Sequence, residues 1–160
     1  MNILFHPAVV HLPLGLAMLI PVLSLWLLWK HRDSWGLLLI PLLMLVAGAH
    51  LALFTGERIE DAYKQVHGTE SRAAIHEHEE KAETLVVLAW AGLLLTAAGV
   101  WLPARLRQPA RILATVVAFG IAGQAVNTGH AGGELVYGPD LQVPPPPAGM
   151  PFPASGGEDD

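Results

Sequence analysis

Eight histidines stand in this chain, at positions 6, 11, 31, 50, 67, 76, 78 and 130. Imidazole is the commonest metal ligand among side chains and titrates near neutral pH. The sequence has no cysteine, so disulfides, thiolate metal sites, Cys-ligated iron–sulfur clusters and haem attached through a Cys-x-x-Cys-His motif are excluded. Any metal or cofactor must be held by histidine, carboxylate, methionine or backbone. Glu77, Glu79, Glu80 and Glu83 surround His76 and His78. His76 and Glu80 stand four apart on one helical face, where a carboxylate can orient an imidazole. A Gly-rich phosphate loop, a Gly-x-Ser-x-Gly and a His-Glu-x-x-His are all missing from the sequence. The formal charge of −5 argues against nucleic acid as a partner.

The elements that must position these residues are apolar helices. Hydrophobic residues make up 52% of the chain and charged residues only 14%, against about a quarter in soluble domains. The charges fall in a few blocks and leave four long apolar segments, at about 7–29, 35–54, 84–102 and 112–127. Each is near the roughly 20 residues needed to cross a bilayer. The expected fold is all-α, an integral membrane four-helix bundle over residues 1–138. Residues 139–160 read as a Pro-rich acidic tail, extended or disordered. No basic region precedes the first apolar run and no small-residue cleavage site follows it, so a cleaved signal peptide is not expected.

Local punctuation refines the helices. Pro7 suits a first helical turn, whereas Pro13, Pro21 and Pro41 fall inside spans and are expected to bend them. Residues 57–66 can continue the second helix beyond the membrane. Arg72 to Glu83 can form a polar helix, capped by Thr69 or Ser71, that runs on into the third span. Gly129, Gly132 and Gly133 suggest a tight turn that ends the fourth helix and lets backbone N–H groups approach a ligand. Trp26, Trp29, Trp35 and Trp101 lie near expected interfaces, where aromatic-belt anchoring explains them, and Trp90 is expected to pack.

Orientation follows from the loops. Residues 30–34 carry Lys30 and Arg32, and residues 103–111 carry Arg105, Arg107 and Arg111 without an acid. The positive-inside rule puts both of these short loops in the cytoplasm. Both termini and the acidic second loop then lie outside, which in a bacterial inner membrane means the periplasmic side. Every span thereby delivers histidine to that face. His6 and His11 open the first helix and His50 lies near the outer end of the second. His76 and His78 lead into the third, and His130 follows the fourth. Taken singly, each has a plainer reading: His6 as a cap, His11 and His50 as hydrogen-bonded core residues, His67 as a loop residue, His76 as a solvated helix face, His130 as part of a turn. Their common location favours function, because polar groups at membrane depth are costly and mark sites, and bundles build cofactor sites from facing helices.

The segment His6-Pro7-Ala8-Val9-Val10-His11-Leu12-Pro13 resembles the opening of a bacterial membrane family called domain of unknown function 2231. Thr55-Gly56, His78-Glu79-Glu80 and residues 129–137, Gly-His-Ala-Gly-Gly-Glu-Leu-Val-Tyr, also resemble that family, in order, over residues 1 to about 138. The closing motif departs from the family's usual continuation at Gly138-Pro139-Asp140. The resemblance implies a four-helix membrane domain often associated with redox proteins, with His6, His11, His78 and His130 at the family positions.

Three functions fit these residues. In the first, the protein is a membrane electron carrier that holds b-type haem between imidazoles at the outer face, with His11, His78 and His130 as ligands and His50 next. Bis-imidazole ligation leaves no open position and suits electron transfer. Quinol could supply the electrons, with a periplasmic redox partner beyond. In the second, His6, His11, His76, His78 and His130 with Glu79 and Glu80 hold zinc or copper without haem. In the third, the chain is a structural or docking subunit of a larger membrane complex, with the tail as an interaction arm. An electron carrier or complex subunit is expected rather than a stand-alone enzyme.

Overall fold

A computed structural model describes residues 5–67 and 72–137, with side chains for 9–57, 73–135 and 137. Four long helices run through it: α1 (Phe5–Lys30), α2 (Leu39–His67), α3 (Arg72–Trp101) and α4 (Ala104–Tyr137). A 3-10 helix, Arg32–Leu38, joins α1 to α2. Among the described residues there is no strand. Each helix packs on its two sequence neighbours, and α4 closes back on α1, while the diagonal pairs stay apart. Short connections between consecutive long helices give the up-down-up-down bundle.

The inside and outside of the bundle are equally apolar. Ala17, Ile20, Leu27, Leu45, Ala89 and Ile121 are fully buried along the axis. Val22, Trp29, Ile40, Leu94 and Val116 are each more than half exposed. A helix apolar all round belongs in a membrane or a large core, and here the outward faces are as apolar as the inward ones. Four helices are long and apolar enough to cross a membrane, within Val9–Lys30, Arg32–Glu57, Ala73–Trp101 and Ala104–Leu135. The chain is thus built as a multi-pass membrane protein whose described backbone is helical except at the short connections His31 and Leu102–Pro103, as hydrocarbon demands of a span.

Small residues set the helix spacing. The α3–α4 seam is the broadest. At its middle, a Cβ added to Gly92 would lie 2.9 Å from Ile121 Cδ1, so glycine there permits the close approach that membrane helices use in place of a hydrophobic drive. Towards the end where α1 begins and α4 ends, Gln124 Nε2 donates to the Lys81 carbonyl at 2.9 Å, and the Thr128 hydroxyl is shared between that carbonyl at 3.1 Å and the Gln124 carbonyl of its own helix at 2.9 Å. These bonds bind α4 to the charged first turns of α3.

Four expectations need correction. First, the third loop is only Leu102 and Pro103, and α4 already holds Arg105, Arg107, Arg111 and an internal Pro109. The arginines stabilise this tight reversal. Arg107 Nε donates to the Leu102 carbonyl at 2.7 Å and Arg111 Nε to Gly99 at 2.9 Å, while Arg32 Nε donates to Leu28 at 2.9 Å. Cations at helix C-termini meet both the orphan carbonyls and the dipole. Second, Pro41 is the third residue of α2, where its missing N–H has no intrahelical acceptor to lose. It lies inside the candidate span Arg32–Glu57 as expected, but just after the 3-10 helix, whereas Pro13 and Pro21 lie well inside α1.

Third, the turn expected at Gly129, Gly132 and Gly133 is helical, and α4 continues to Tyr137. The buried face of Thr128 and Ala131 packs there, and side-chain packing overrides the weak helix propensity of glycine. Fourth, Trp35 is not an interfacial anchor. It is 1% exposed, and its Nε1 donates to the Thr96 carbonyl at 3.2 Å. The polar helices expected on both sides of the second loop are present, as the ends of α2 and the start of α3. The cap at Thr69 or Ser71 and the tail at 139–160 lie outside the described residues.

Candidate functional site

The antiparallel order brings His11, His50, His76, His78 and His130 into the half of the bundle where α1 begins and α4 ends. They occupy two heights rather than one. Pro13 on α1 meets Gly48 on α2, with Cδ 3.4 Å from the position of an added Cβ. Two residues outward on each antiparallel helix stand His11 and His50, at about the same height. The His50 ring lies edge-on to Trp90 of α3, centroids 6.2 Å apart. Along α3, His78 is twelve residues further out than Trp90, a rise of about 18 Å at 1.5 Å per residue. His78 and His130 form the second height, since His78 packs on Gly132 and His130 lies between Thr128 and Gly132.

The inner pair lies within the candidate spans Val9–Lys30 and Arg32–Glu57. Counting from Thr84, where the apolar part of α3 starts, Trp90 is six residues in, about 9 Å. His50 Nδ1 lies 2.9 Å from the Val46 carbonyl. A carbonyl can only accept, so Nδ1 carries the proton and the lone pair of the neutral ring is on Nε2. A backbone carbonyl on Nδ1 is the usual device that fixes the tautomer of a ligating imidazole. Both His50 and His11 are exposed on the helical bundle surface.

The outer pair is divided by α4 itself. Successive helical residues turn by about 100°, so Thr128 and Gly132 share one face and His130 points away from it. His78 sits on the near side, against the Thr128 backbone and Gly132. An added Cβ at Gly132 would lie 3.0 Å from its Cε1. Its Nδ1 is buried and, among the described residues, has no hydrogen-bond partner. On the far side His130 is exposed, with Nε2 3.4 Å from Glu134 Oε1. His76 is exposed as well. Glu80 borders a cleft between α3 and α4, and Glu79 is half-buried beside it in sequence. Among the described residues, no three of His, Asp and Glu stand close enough together to hold a metal ion. The side chains of His6 and His67 lie outside the described residues.

The charged end of the bundle holds a cluster that sequence reasoning missed. Trp35, Thr96, Gly99 and Arg111 lock the 3-10 helix, α3 and α4 together. Arg111 Cζ lies 5.7 Å from the Trp35 ring centroid, and a Cβ on Gly99 would meet Trp35 Nε1 at 2.7 Å. The sequence signal was present, as a tryptophan at a span boundary and an arginine in a short loop, but the first also reads as an interfacial anchor and the second as a positive-inside signal. Trp26, Trp29 and Trp101 are exposed at the same end. Trp26 lies against His31, with ring centroids 4.5 Å apart, and Lys30 Nζ sits 4.8 Å from the Trp29 centroid. Compared with protein-family models, with curated proteins and with solved structures, the chain matches none.

Proposed function

We propose that the protein is a bacterial inner-membrane electron carrier that holds b-type haem at membrane depth, with the histidine-bearing end towards the periplasm. The observation that carries this reading is His50, whose Nδ1–H bond to Val46 leaves Nε2 as the ligating nitrogen, level with His11 on the adjacent helix. The donor set fits in kind: imidazoles without thiolate would suit haem that exchanges electrons rather than activating oxygen. When bound, haem would supply one-electron exchange. His50 and His11 would hold it, Trp90 would pack beside the His50 ring, and the surrounding apolar side chains would exclude water. This choice moves His78 and His130 from the first rank of ligands to the second, because α4 stands between them. A metal-ion site needs three donors together, whereas haem needs two, so haem fits the described histidines better than zinc or copper.

The orientation rests on the arginine-capped end, where Lys30, Arg32, Arg105, Arg107 and Arg111 favour the cytoplasm. The four-helix plan, the opening His6–Pro13 motif and residues 129–137 keep the likeness to the domain of unknown function 2231 family as part of this proposal. Detergent-purified, full-length protein expressed with ample haem provides the test. A Soret band that survives His78→Ala and His130→Ala but is lost in His11→Ala and His50→Ala supports the assignment. A featureless spectrum in the unaltered protein turns the reading towards a docking subunit of a larger membrane complex.

A further inference from the structure

The cleft between α3 and α4 lies on the outer surface of the bundle and has a volume of about 600 Å³. Its upper wall is polar, with Glu80, Glu83 and Lys81 from α3, and Gln124 and Asn127 from α4. Its lower edge is Val87, 66% exposed and one turn inside the apolar part of α3. The cleft therefore straddles the boundary between the charged extension of α3 and its membrane span, which is the depth of lipid headgroups.

The charges point to a cation. Two carboxylates and one ammonium line the cleft, and Lys81 Nζ is already held by Glu77 at 2.6 Å. An ammonium group gains from Glu80 and Glu83, while the remaining donors of Lys81, Gln124 and Asn127 suit phosphate oxygens. A purely anionic headgroup would meet both carboxylates without compensation.

The surface below continues the site in apolar form. Gly120 and Gly123 fall on the α4 face that carries Gln124 and Asn127, by spacings of three and four. Both are exposed, and nothing lies within 4 Å of an added Cβ at either. On α3, Val87 and Leu94 project, at 66% and 63% exposure. A shallow apolar furrow thus runs from the polar cleft down into hydrocarbon. A polar cleft over an apolar furrow fits an amphiphile with one headgroup and a chain.

We propose that this cleft binds a zwitterionic aminophospholipid, its ammonium between Glu80 and Glu83, its phosphate towards Lys81 and Asn127, and one acyl chain along Gly123 and Gly120. The proposal depends on the chain spanning a membrane and is independent of haem. Its test is native mass spectrometry of delipidated full-length protein with equal amounts of phosphatidylethanolamine, phosphatidylglycerol and phosphatidylcholine. Phosphatidylethanolamine is expected to be retained best, because its primary ammonium donates hydrogen bonds that the quaternary choline cannot. Loss of two exposed ion pairs in the E80Q/E83Q double variant lowers its retention about fivefold or more. Gly123→Leu, which fills the furrow, lowers it as well. Melts by circular dichroism identify folded variants, and E83Q alone replaces the double variant if that does not fold. Equal retention of phosphatidylglycerol, or unchanged phosphatidylethanolamine retention in folded E80Q/E83Q, overturns the proposal.

Discussion

Replacing Gly99 by alanine tests whether the arginine-capped end is held as described. The added Cβ would stand 2.7 Å from Trp35 Nε1, 2.8 Å from Arg111 Cγ and 3.2 Å from Trp35 Cδ1. Real Cβ atoms essentially never come within 3.0 Å of such atoms, as the first two distances would require, and Trp35 has little room to retreat, being 1% exposed and bonded to the Thr96 carbonyl. Overpacking costs about 1–3 kcal/mol, and a buried indole N–H pushed off its acceptor costs about 1–3 kcal/mol more. Alanine recovers about 1 kcal/mol of helix propensity. The net expectation is destabilisation by about 1–5 kcal/mol, from these terms together. Unfolding in mixed micelles, followed by tryptophan fluorescence, measures it. Trp35→Phe removes the crowded nitrogen, so the G99A/W35F double variant should lose less than the sum of the single losses. A G99A protein as stable as the unaltered chain, or additive losses in the double variant, would refute this reasoning.

Other outcomes follow from the same geometry. Gln124→Leu with Thr128→Val removes the amide donor to the Lys81 carbonyl and the hydroxyl shared between it and the Gln124 carbonyl, and interhelical bonds in membranes average about 0.6 kcal/mol each. The double variant should therefore lose about 1 kcal/mol in the same unfolding assay, and the loss should be confined to the α3–α4 seam. Gly92→Leu places a long side chain where even a Cβ would meet Ile121 Cδ1 at 2.9 Å. It should prevent close packing of α3 on α4 and lower the melting temperature more than Gly120→Leu, whose site is open. Because the chain has no cysteine, single cysteines at Ser34 and Asn127 can report sidedness. An impermeant thiol reagent added to intact cells should label Asn127→Cys and spare Ser34→Cys.

Much of the fold was legible in the sequence, for reasons that differ between elements. The spans stand out because lipid imposes length and apolarity on every crossing, as at α1 with its run from Leu12 to Trp29. The helical extension Arg72–Glu83 was also readable, since its charges mark it as polar without breaking helical periodicity. The fourth helix misled because Gly129, Gly132 and Gly133 carry a strong turn preference that packing against α3 overrides. The short loop expected at 103–111 is mostly helix, with arginine side chains satisfying carbonyls at the neighbouring reversal. The candidate site was legible only as an end of the bundle. Which way each imidazole faces depends on helix rotation, which no spacing rule fixes. Thus His78 and His130 looked equivalent in sequence but stand on opposite sides of α4, and the carbonyl of Val46 behind His50 could be found only in three dimensions.

The central claim is that imidazoles at membrane depth hold haem, and a visible spectrum of the full-length protein tests it most directly. Oxidised and dithionite-reduced samples are recorded for the unaltered chain and for His50→Ala. The account predicts a Soret band with sharp reduced α and β bands in the unaltered chain, and their loss in His50→Ala. A spectrum without these bands, or bands that His50→Ala leaves intact, would contradict it.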